Sequence, residues 1–280
     1  MTPLNADLHC HSTVSDGLLA PAELARRAKA NGVDLWALTD HDEIGGLAEA
    51  RAAAAEIGLG FVNGVEISVS WGEDQTVHIV GLGFDAAYAP LVDGLAQVRG
   101  GRDTRAQRMA AELDKVGIHG AYEGALKYAG NPALISRSHF ARYIVELGHA
   151  KEVKYVFDWW LAKGKPGYVA HPWAKLEDAL GWIHAAGGVA VIAHPGRYRL
   201  TSAGRQQLFA AFKQLGGQGI EVISGSHGEE EMREAARAAR EFGFVASRAS
   251  DFHGPGESWI DLGKLPPLPE DLTPVWSLLK

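Results

Sequence analysis

Histidines and carboxylates of the kind that hold metal ions recur in six short stretches of this chain. Asp7, His9, His11 and Asp16 fall in DLHCHSTVSDG, Asp40 and His41 in LTDHD, and Glu66 in GVEIS. His78 falls in VHIVG, His194 in VIAHPG, and Asp251 with His253 in SDFH. One HxH pair in a chain with 12 histidines is weak evidence by itself. Imidazole and carboxylate donors without a thiolate suit Mn²⁺, Fe²⁺ or Zn²⁺ better than a structural cysteine-type zinc. Several such cations with open positions can acidify a water, bind the non-bridging oxygens of a phosphate and stabilise the leaving oxygen. Cys10 sits between two of the histidines, but on an extended chain its side chain points the other way, so its role is structural. No GxSxG elbow or P-loop is present to support a serine nucleophile or a nucleotide-triphosphate motor.

The elements that must position these residues alternate. Strand-like runs cover 4–8, 33–39, 61–68, 76–83, 189–193, 220–224 and 245–250. Helix-period segments lie between several of them, at 21–30, 45–57, 176–186, 202–215 and 229–242. That rhythm predicts a parallel sheet with crossover helices, and seven strands lean toward a barrel. Six of the seven strands then deliver a metal-type ligand at or near their C-terminal ends, where active sites of parallel α/β folds assemble. Burying so many polar groups in one place without cations would cost several kcal/mol, so a multinuclear metal site is the more economical reading.

One connection breaks the rhythm. About a hundred residues separate Gly83 from Val189, far more than a crossover needs. Within it, 91–116, 122–128, 138–147 and 153–162 read as helices. Residues 95–170 are therefore expected to be a helical insertion, with 1–94 and 171–280 forming the core. The insertion is basic, carrying Arg99, Arg102, Arg105, Arg108, Lys127, Arg137, Lys163 and Lys165. These are either solvated helix faces or a lid over an anionic substrate. Trp159 and Trp160 read as core or lid packing rather than as platforms for a base.

The whole chain has 280 residues, with 27 Lys and Arg against 34 Asp and Glu, a net charge of −7. That balance disfavours a protein that coats duplex DNA through a broad basic field, yet leaves room for a local phosphate pocket. A single cysteine suits a reducing compartment, and neither a signal-peptide pattern nor a bilayer-length apolar run is evident. A cytoplasmic protein is expected.

Taken together and in order, DLHCHSTVSDG, LTDHDEIGG, GVEIS, VHIVG, AHPG and SDFH resemble the PHP (polymerase and histidinol phosphatase) family of metal hydrolases. The resemblance implies an α/β fold, a distorted (β/α)7 barrel, with three divalent metal ions, usually Mn²⁺. On the matching positions, one metal would take His9, His11, Glu66 and Asp251; a second would share Glu66 and add His78 and His194; a third would take Asp16, His41 and His253. Every such position is filled, as a working enzyme requires. RDTRAQRMAAEL, SRSHFAR, AKGKPGYV and VIAHPGRY further resemble stand-alone members that act on nucleoside 3′,5′-bisphosphates, and relatives of that group trim short RNA from the 5′ end. This likeness implies removal of the 3′-phosphate of adenosine 3′,5′-bisphosphate to give AMP and phosphate, through a metal-bridging hydroxide.

A 5′-phosphate handle would need cations away from the metals. Arg102, Arg105, Ser136, Arg137 and His139 are the candidates, and Arg197, just past His194, is placed to join them. Asp40 reads either as a carboxylate orienting a ligand histidine or as a helix N-cap. His227 either lines the pocket or caps the following helix. Three competing functions remain: a phosphatase for histidinol phosphate or another small phosphomonoester, a 5′–3′ exonuclease on short RNA, and a non-catalytic metal-binding module.

Overall fold

The computed structural model describes residues 4–72 and 75–279. Its seven strands form one sheet in chain order: β1 (Ala6–Asp7), β2 (Leu35–Leu38), β3 (Gly60–Trp71), β4 (Gln75–Leu82), β5 (Val189–Ile192), β6 (Gly219–Ser224) and β7 (Val245–Ala249). The last strand returns to the first. Leu8 N donates to Arg248 O (3.1 Å), Asp251 N to His9 O (2.9 Å) and His11 N to Phe252 O (2.9 Å), so the sheet is nearly closed into a barrel. Packed around or above it are α1 (Pro21–Ala30), α2 (Leu47–Glu56), α3 (Ala89–Arg99), α4 (Arg102–Asp114), α5 (Ala121–Leu126), α6 (Arg137–Glu146), α7 (Val153–Val156), α8 (Leu176–Ala185), α9 (Ser202–Gln214) and α10 (Glu229–Phe242).

Local chemistry accounts for several boundaries. Pro21 opens α1, and the Glu23 carboxylate accepts from Ala20 N (2.9 Å), satisfying a donor the helix leaves free. Three glutamates occupy the first turn of α10, and Gly243, with φ 63°, ends it in a left-handed conformation. β2, β5 and β6 are covered on both faces, which explains their near-continuous apolar runs LWAL, VAVI and GIEVIS.

The expected all-parallel sheet is corrected at one strand. β4 runs antiparallel to both β3 and β5, while every other pairing, including β1–β2 and β6–β7, is parallel. Its connection to β3 is a few residues after Trp71, too short for a crossover, which takes a dozen residues or more. The reversal changes where His78 lies. It sits in the first half of β4, opposite Ser68, so it reaches the rim from the start of its strand. It does not lie at a C-terminal end as the alternating pattern suggested.

The long connection also differs in detail. The helix expected over 91–116 is two helices, α3 and α4, broken at Gly100–Gly101. Gly101 is needed there because a Cβ would lie 2.2 Å from the His171 ring. Leu95 and Val98, expected in the insertion, pack with the barrel's outer apolar layer, against which α8 also lies. A separate apolar cluster, including Met109, Leu113, Ile118, Phe140, Ile144 and Leu161, begins beyond that break and holds the inserted helices together. Val169 still packs against this second cluster, whereas Trp173 and Ala174 pack against the first. Beneath the rim, Val80 and Leu82 share a face of β4 with His78 and cluster with Leu8, Ala37, Val189, Val191 and Val275.

Candidate metal centre

Nine side chains converge at the rim: His9, His11, Asp16, His41, Glu66, His78, His194, Asp251 and His253. Their ligand atoms form four overlapping groups, each within 4.8 Å: His11, Asp16, His41 and His253; His9, His11 and Asp251; His9, Glu66 and His194; and His41, Glu66 and His78. Glu66, wholly buried, is the hub. Its Oε1 lies 2.8 Å from His78 Nδ1, 2.9 Å from His194 Nε2 and 3.4 Å from His9 Nε2, and its Oε2 lies 2.8 Å from His41 Nδ1 and 3.4 Å from His11 Nε2. Asp251 Oδ1 lies 3.3 Å from His11 and 3.5 Å from His9; Asp16 Oδ1 lies 3.6 Å from His253 and 3.9 Å from both His11 and His41. The groups overlap more than the sets implied by family likeness: His11 lies also with Asp16, His41 and His253, His9 with Glu66 and His194, and His41 with Glu66 and His78.

Local backbone strain aims several of these groups. Only three non-glycine residues among those described have positive φ, namely Asp42 (52°), His194 (25°) and Asp251 (53°). Two belong to the cluster and the third follows His41. Such conformations cost of order 1–3 kcal/mol each and persist where the surroundings enforce them. At Asp16 the enforcement comes from a tight loop. Asp40 accepts from Ser12 N (2.7 Å), Ser12 Oγ (2.6 Å) and Ser15 Oγ (2.6 Å), and Gly17 allows the chain to pass where a Cβ would lie 2.1 Å from His11 O. Asp40 thus ties down the loop that carries Asp16. It neither bonds a ligand histidine nor caps a helix, which corrects both readings of it.

The electrostatics are those of a site organised for cations. Burial alone would raise Asp16, Glu66 and Asp251, but the facing imidazoles reverse this and hold all three carboxyls well below the usual range. Burial pushes His78 and His253 down to about 4. Burial works the same way on His41, yet Glu66 and Asp16 outweigh it and lift that residue to about 9. Neighbouring histidines are therefore moved in opposite directions, His41 up by the facing carboxylates and His78 and His253 down by burial. His11 Nδ1, Asp16 Oδ1, His41 Nδ1, Glu66 Oε2, His194 Nδ1 and Asp251 Oδ1 are buried without a hydrogen-bond partner. Orphaned donor atoms of nitrogen and oxygen type around a shared void fit divalent metal ions.

Over the cluster opens a cleft of about 570 Å³ lined by Asp16, His41, Glu66, His78, His194, Asp251 and His253 on one side and by Arg102, Arg105, Arg137, Arg197, Ser136, Ser138, Phe157 and Trp173 on the other. The candidate handle residues do not behave alike. The Arg137 guanidinium lies over Phe157 (5.6 Å) and has no ion-pair partner among the described residues; burial and then Arg197 push its pKa down. Arg105 is pushed down by burial, Arg137 and Arg102, and its Nε donates to Val169 O (3.0 Å). Arg197 pairs with Asp251 Oδ2 (2.7 Å) and remains half exposed. Arg102 faces the cleft, but its charge is met by Asp42 and its plane lies 4.8 Å from Trp173. Ser136 and Ser138 donate to Asp16 Oδ2 (3.1 and 2.9 Å), steadying that carboxylate from the insertion. His139 is corrected: its Nδ1 accepts from Ser136 N (3.0 Å) at the start of α6, and it does not line the cleft.

Besides Ser138 and Phe157, Trp173 and Glu221 escaped the sequence reading. Trp173 forms one wall, its indole beneath both Arg102 and Arg105. Glu221 lies buried in β6 and bonds His9 Nδ1 (2.6 Å) and His194 N (2.7 Å). The available signal was a carboxylate inside the apolar run GIEVIS, the same signal that Glu66 gives in GVEIS. Trp159, taken as packing, is 68% exposed, whereas Trp160 does pack against the insertion's core. Cys10 faces away as expected, its thiol fully buried and within 3.1 Å of Trp36 Nε1. His227 neither lines the cleft nor caps α10; its Nε2 accepts from Gly196 N (3.0 Å).

A model of the PHP domain matches residues 7–224. This chain belongs to the PHP family. Its PHP relatives include a 3′,5′-nucleoside bisphosphate phosphatase of Chromobacterium violaceum, 52% identical across 99% of this chain and 96% of that protein. A 5′–3′ exoribonuclease of Haemophilus influenzae is 43% identical over 96% of this chain and 97% of its own. Among solved structures, an amidohydrolase from C. violaceum with bound sulfate and no metal superposes with a TM-score of 0.94 at 53% identity, covering 98% of this chain and 95% of that one. The shared PHP architecture thus extends through the inserted helices as well as the barrel.

Proposed function

We propose that this protein is a divalent-cation-dependent phosphomonoesterase that removes the 3′-phosphate from nucleoside 3′,5′-bisphosphates, with adenosine 3′,5′-bisphosphate giving AMP and phosphate. The observation that carries it is the two-sided cleft, with orphaned metal-type donors on the barrel rim and unneutralised guanidiniums on the insertion facing them. The near full-length likeness to a bisphosphate phosphatase supports the same reading, as does a close structural neighbour that holds sulfate, a phosphate-shaped anion.

The nine rim residues would hold the cations, three in number by family likeness and Mn²⁺ by preference, with Fe²⁺ or Zn²⁺ as substitutes. Bound there, divalent ions acidify a water and neutralise phosphoryl oxygens. The chain's own groups do the rest. Glu66 sets the spacing of the histidines around it, and Asp16 is held by Ser136 and Ser138, so the insertion fixes one edge of the rim. Arg105 and Arg137 offer fork-shaped donors to the second phosphate, which places the nucleotide so that its 3′-phosphate meets the rim. Phe157 and Trp173 present aromatic faces beside those arginines for the nucleoside.

A 5′-phosphorylated short RNA is a second substrate class. One observation favours it: Trp259 is 79% exposed with Lys154 Nζ 4.4 Å from its ring, and its neighbour Ser258 accepts from His253 N (2.7 Å). A stacking surface with an adjacent cation suits the path of a single strand leaving the cleft. None of the described helices is long and apolar enough to cross a membrane. A single cysteine, free and buried, is compatible with the reducing cytoplasm, the compartment we propose.

The test is to incubate Mn²⁺-loaded protein with adenosine 3′,5′-bisphosphate, histidinol phosphate and a 5′-phosphorylated oligoribonucleotide. Rapid release of phosphate with AMP is expected from the first. Cleavage of histidinol phosphate with the bisphosphate left intact would overturn the substrate assignment.

A further inference from the structure

β6 is the strand that gives no ligand to the rim, yet it carries a buried carboxylate at the height of the cluster. Glu221 is 1% exposed, and among the described residues its only ion-pair partner is His9. Both of its oxygens are in use. Oε1 accepts from His9 Nδ1 at 2.6 Å, and Oε2 accepts from the backbone N–H of His194 at 2.7 Å. A carboxylate left in the interior with no lysine or arginine beside it is costly unless its position serves nearby cations.

We propose that Glu221 is a positioning residue for the metal centre, setting the ring of His9 on one side and the backbone turn of His194 on the other; the proposal rests on the reading of the rim as a cation site. Because the carboxylate only accepts, the proton of His9 stays on Nδ1. The other nitrogen then faces the cluster as a lone-pair donor, 3.4 Å from Glu66 and 3.5 Å from Asp251. The second bond acts on conformation. His194 has φ 25° and ψ 60°, where a residue with a Cβ does not rest unaided. This twist departs from the alternation of β5, in which Ala193 would face the interior and the next residue would face out. The N–H freed from the ladder by the twist is the one that Glu221 takes. Two residues on, Gly196 N donates to His227 Nε2 (3.0 Å), which anchors the same turn. A Cβ at Gly196 would come within 2.7 Å of the Glu231 side chain, so the turn is packed as well as bonded. One carboxylate thereby links ligands that arrive from β1 and β5.

The experiment compares the wild-type full chain with Glu221→Gln and His227→Ala after complete removal of metal. Mn²⁺ binding is measured by equilibrium dialysis, and thermal melts are recorded with and without Mn²⁺. Glu221→Gln keeps the side-chain shape and one acceptor, so a cooperative melt close to that of cation-free wild type is expected. Its Mn²⁺ affinity should fall about 10–100-fold, as for loss of a partner behind a metal-bound histidine. The melting-temperature gain that Mn²⁺ gives should shrink with it. Phosphatase activity should return toward wild type as Mn²⁺ is raised, with KM for the bisphosphate unchanged. His227→Ala leaves the buried carboxylate alone and should weaken Mn²⁺ binding by a smaller factor, which keeps the test open if Glu221→Gln does not fold. Wild-type Mn²⁺ affinity in both variants overturns the proposal. Wild-type protein that binds no divalent cation would remove the site reading, and this inference with it.

Discussion

The barrel rim and the inserted helices face each other across one cleft and are built on opposite electrostatic terms. On the rim, three carboxyls are held ionised by imidazoles, while His78 and His253 are pushed down by burial and His41 is held up by Glu66 and Asp16. On the insertion, Arg105 and Arg137 are pushed down by burial and by other guanidiniums, and neither has an ion-pair partner among the described residues. One side lacks cations and the other lacks an anion. A metal-loaded rim and a substrate carrying two phosphates would satisfy both. The difference teaches that reaction and recognition are carried by different parts of the chain, and that they should fail separately.

The largest expected effect would break that division at the rim. Asp251→Ala or His9→Ala should lower kcat for the bisphosphate by on the order of 10³-fold or more with the far-ultraviolet circular dichroism retained, as should stripping the metal with a chelator. Near-normal turnover in either variant would remove the rim from the chemistry. Next comes Arg137→Ala. Loss of a charge-assisted hydrogen bond of about 1.5–3 kcal/mol corresponds to a KM increase of roughly 10–150-fold for the bisphosphate. Cleavage of a nucleoside 3′-monophosphate and binding of Mn²⁺ should stay unchanged, and equal losses on both substrates would place Arg137 in the reaction rather than in recognition. Ser138→Ala blurs the boundary deliberately, because it removes a donor to Asp16 from the insertion side. Because Ser136 still donates to the same oxygen, the loss falls at the lower end for a bond to a charged group, about 1.5 kcal/mol, so kcat should fall about ten-fold with little change in KM.

The smallest effect concerns the insertion's stability alone. Burial lowers His139 to about 4, against 6.5 for the free side chain. Below pH 6.5 the unfolded chain takes up this proton and the folded one resists, so the insertion should lose stability as pH falls toward about 4 and lose no more from this group below that. Amide exchange of α6 as a function of pH would show it. His139→Asn, which keeps an acceptor for Ser136 N, should flatten that acid limb.

Much of the site was legible because the barrel collects ligands from strand ends, so residues from 9 to 253 meet although no local pattern joins them. Less was legible where the geometry depends on a partner. His78 was found for its type, but its place depends on the reversal of β4, which follows from a short hairpin connection rather than from the strand itself. Asp40 and His139 have the residue types of a second-layer acceptor and a phosphate ligand. Their actual partners, Ser12 with Ser15 and the backbone of Ser136, are set by loop closure and by a helix start. Arg102 has the same charge as Arg137, and only the approach of Asp42 neutralises it. Gly100–Gly101 divides a helix that periodicity runs together, because the cost of a glycine pair is small until His171 must pack there.

Closure of the barrel through its first and last strands has a consequence for biogenesis. Leu8 pairs with Arg248, and Arg248 in turn donates to Asn5 Oδ1 (2.8 Å) and to the carbonyl of Pro266 (2.8 Å), so segments more than two hundred residues apart must meet. His9 and His11 are synthesised more than two hundred residues ahead of Asp251 and His253. The complete set of rim donors therefore exists only once synthesis has passed His253, so the rim is finished after every strand of the barrel has been made.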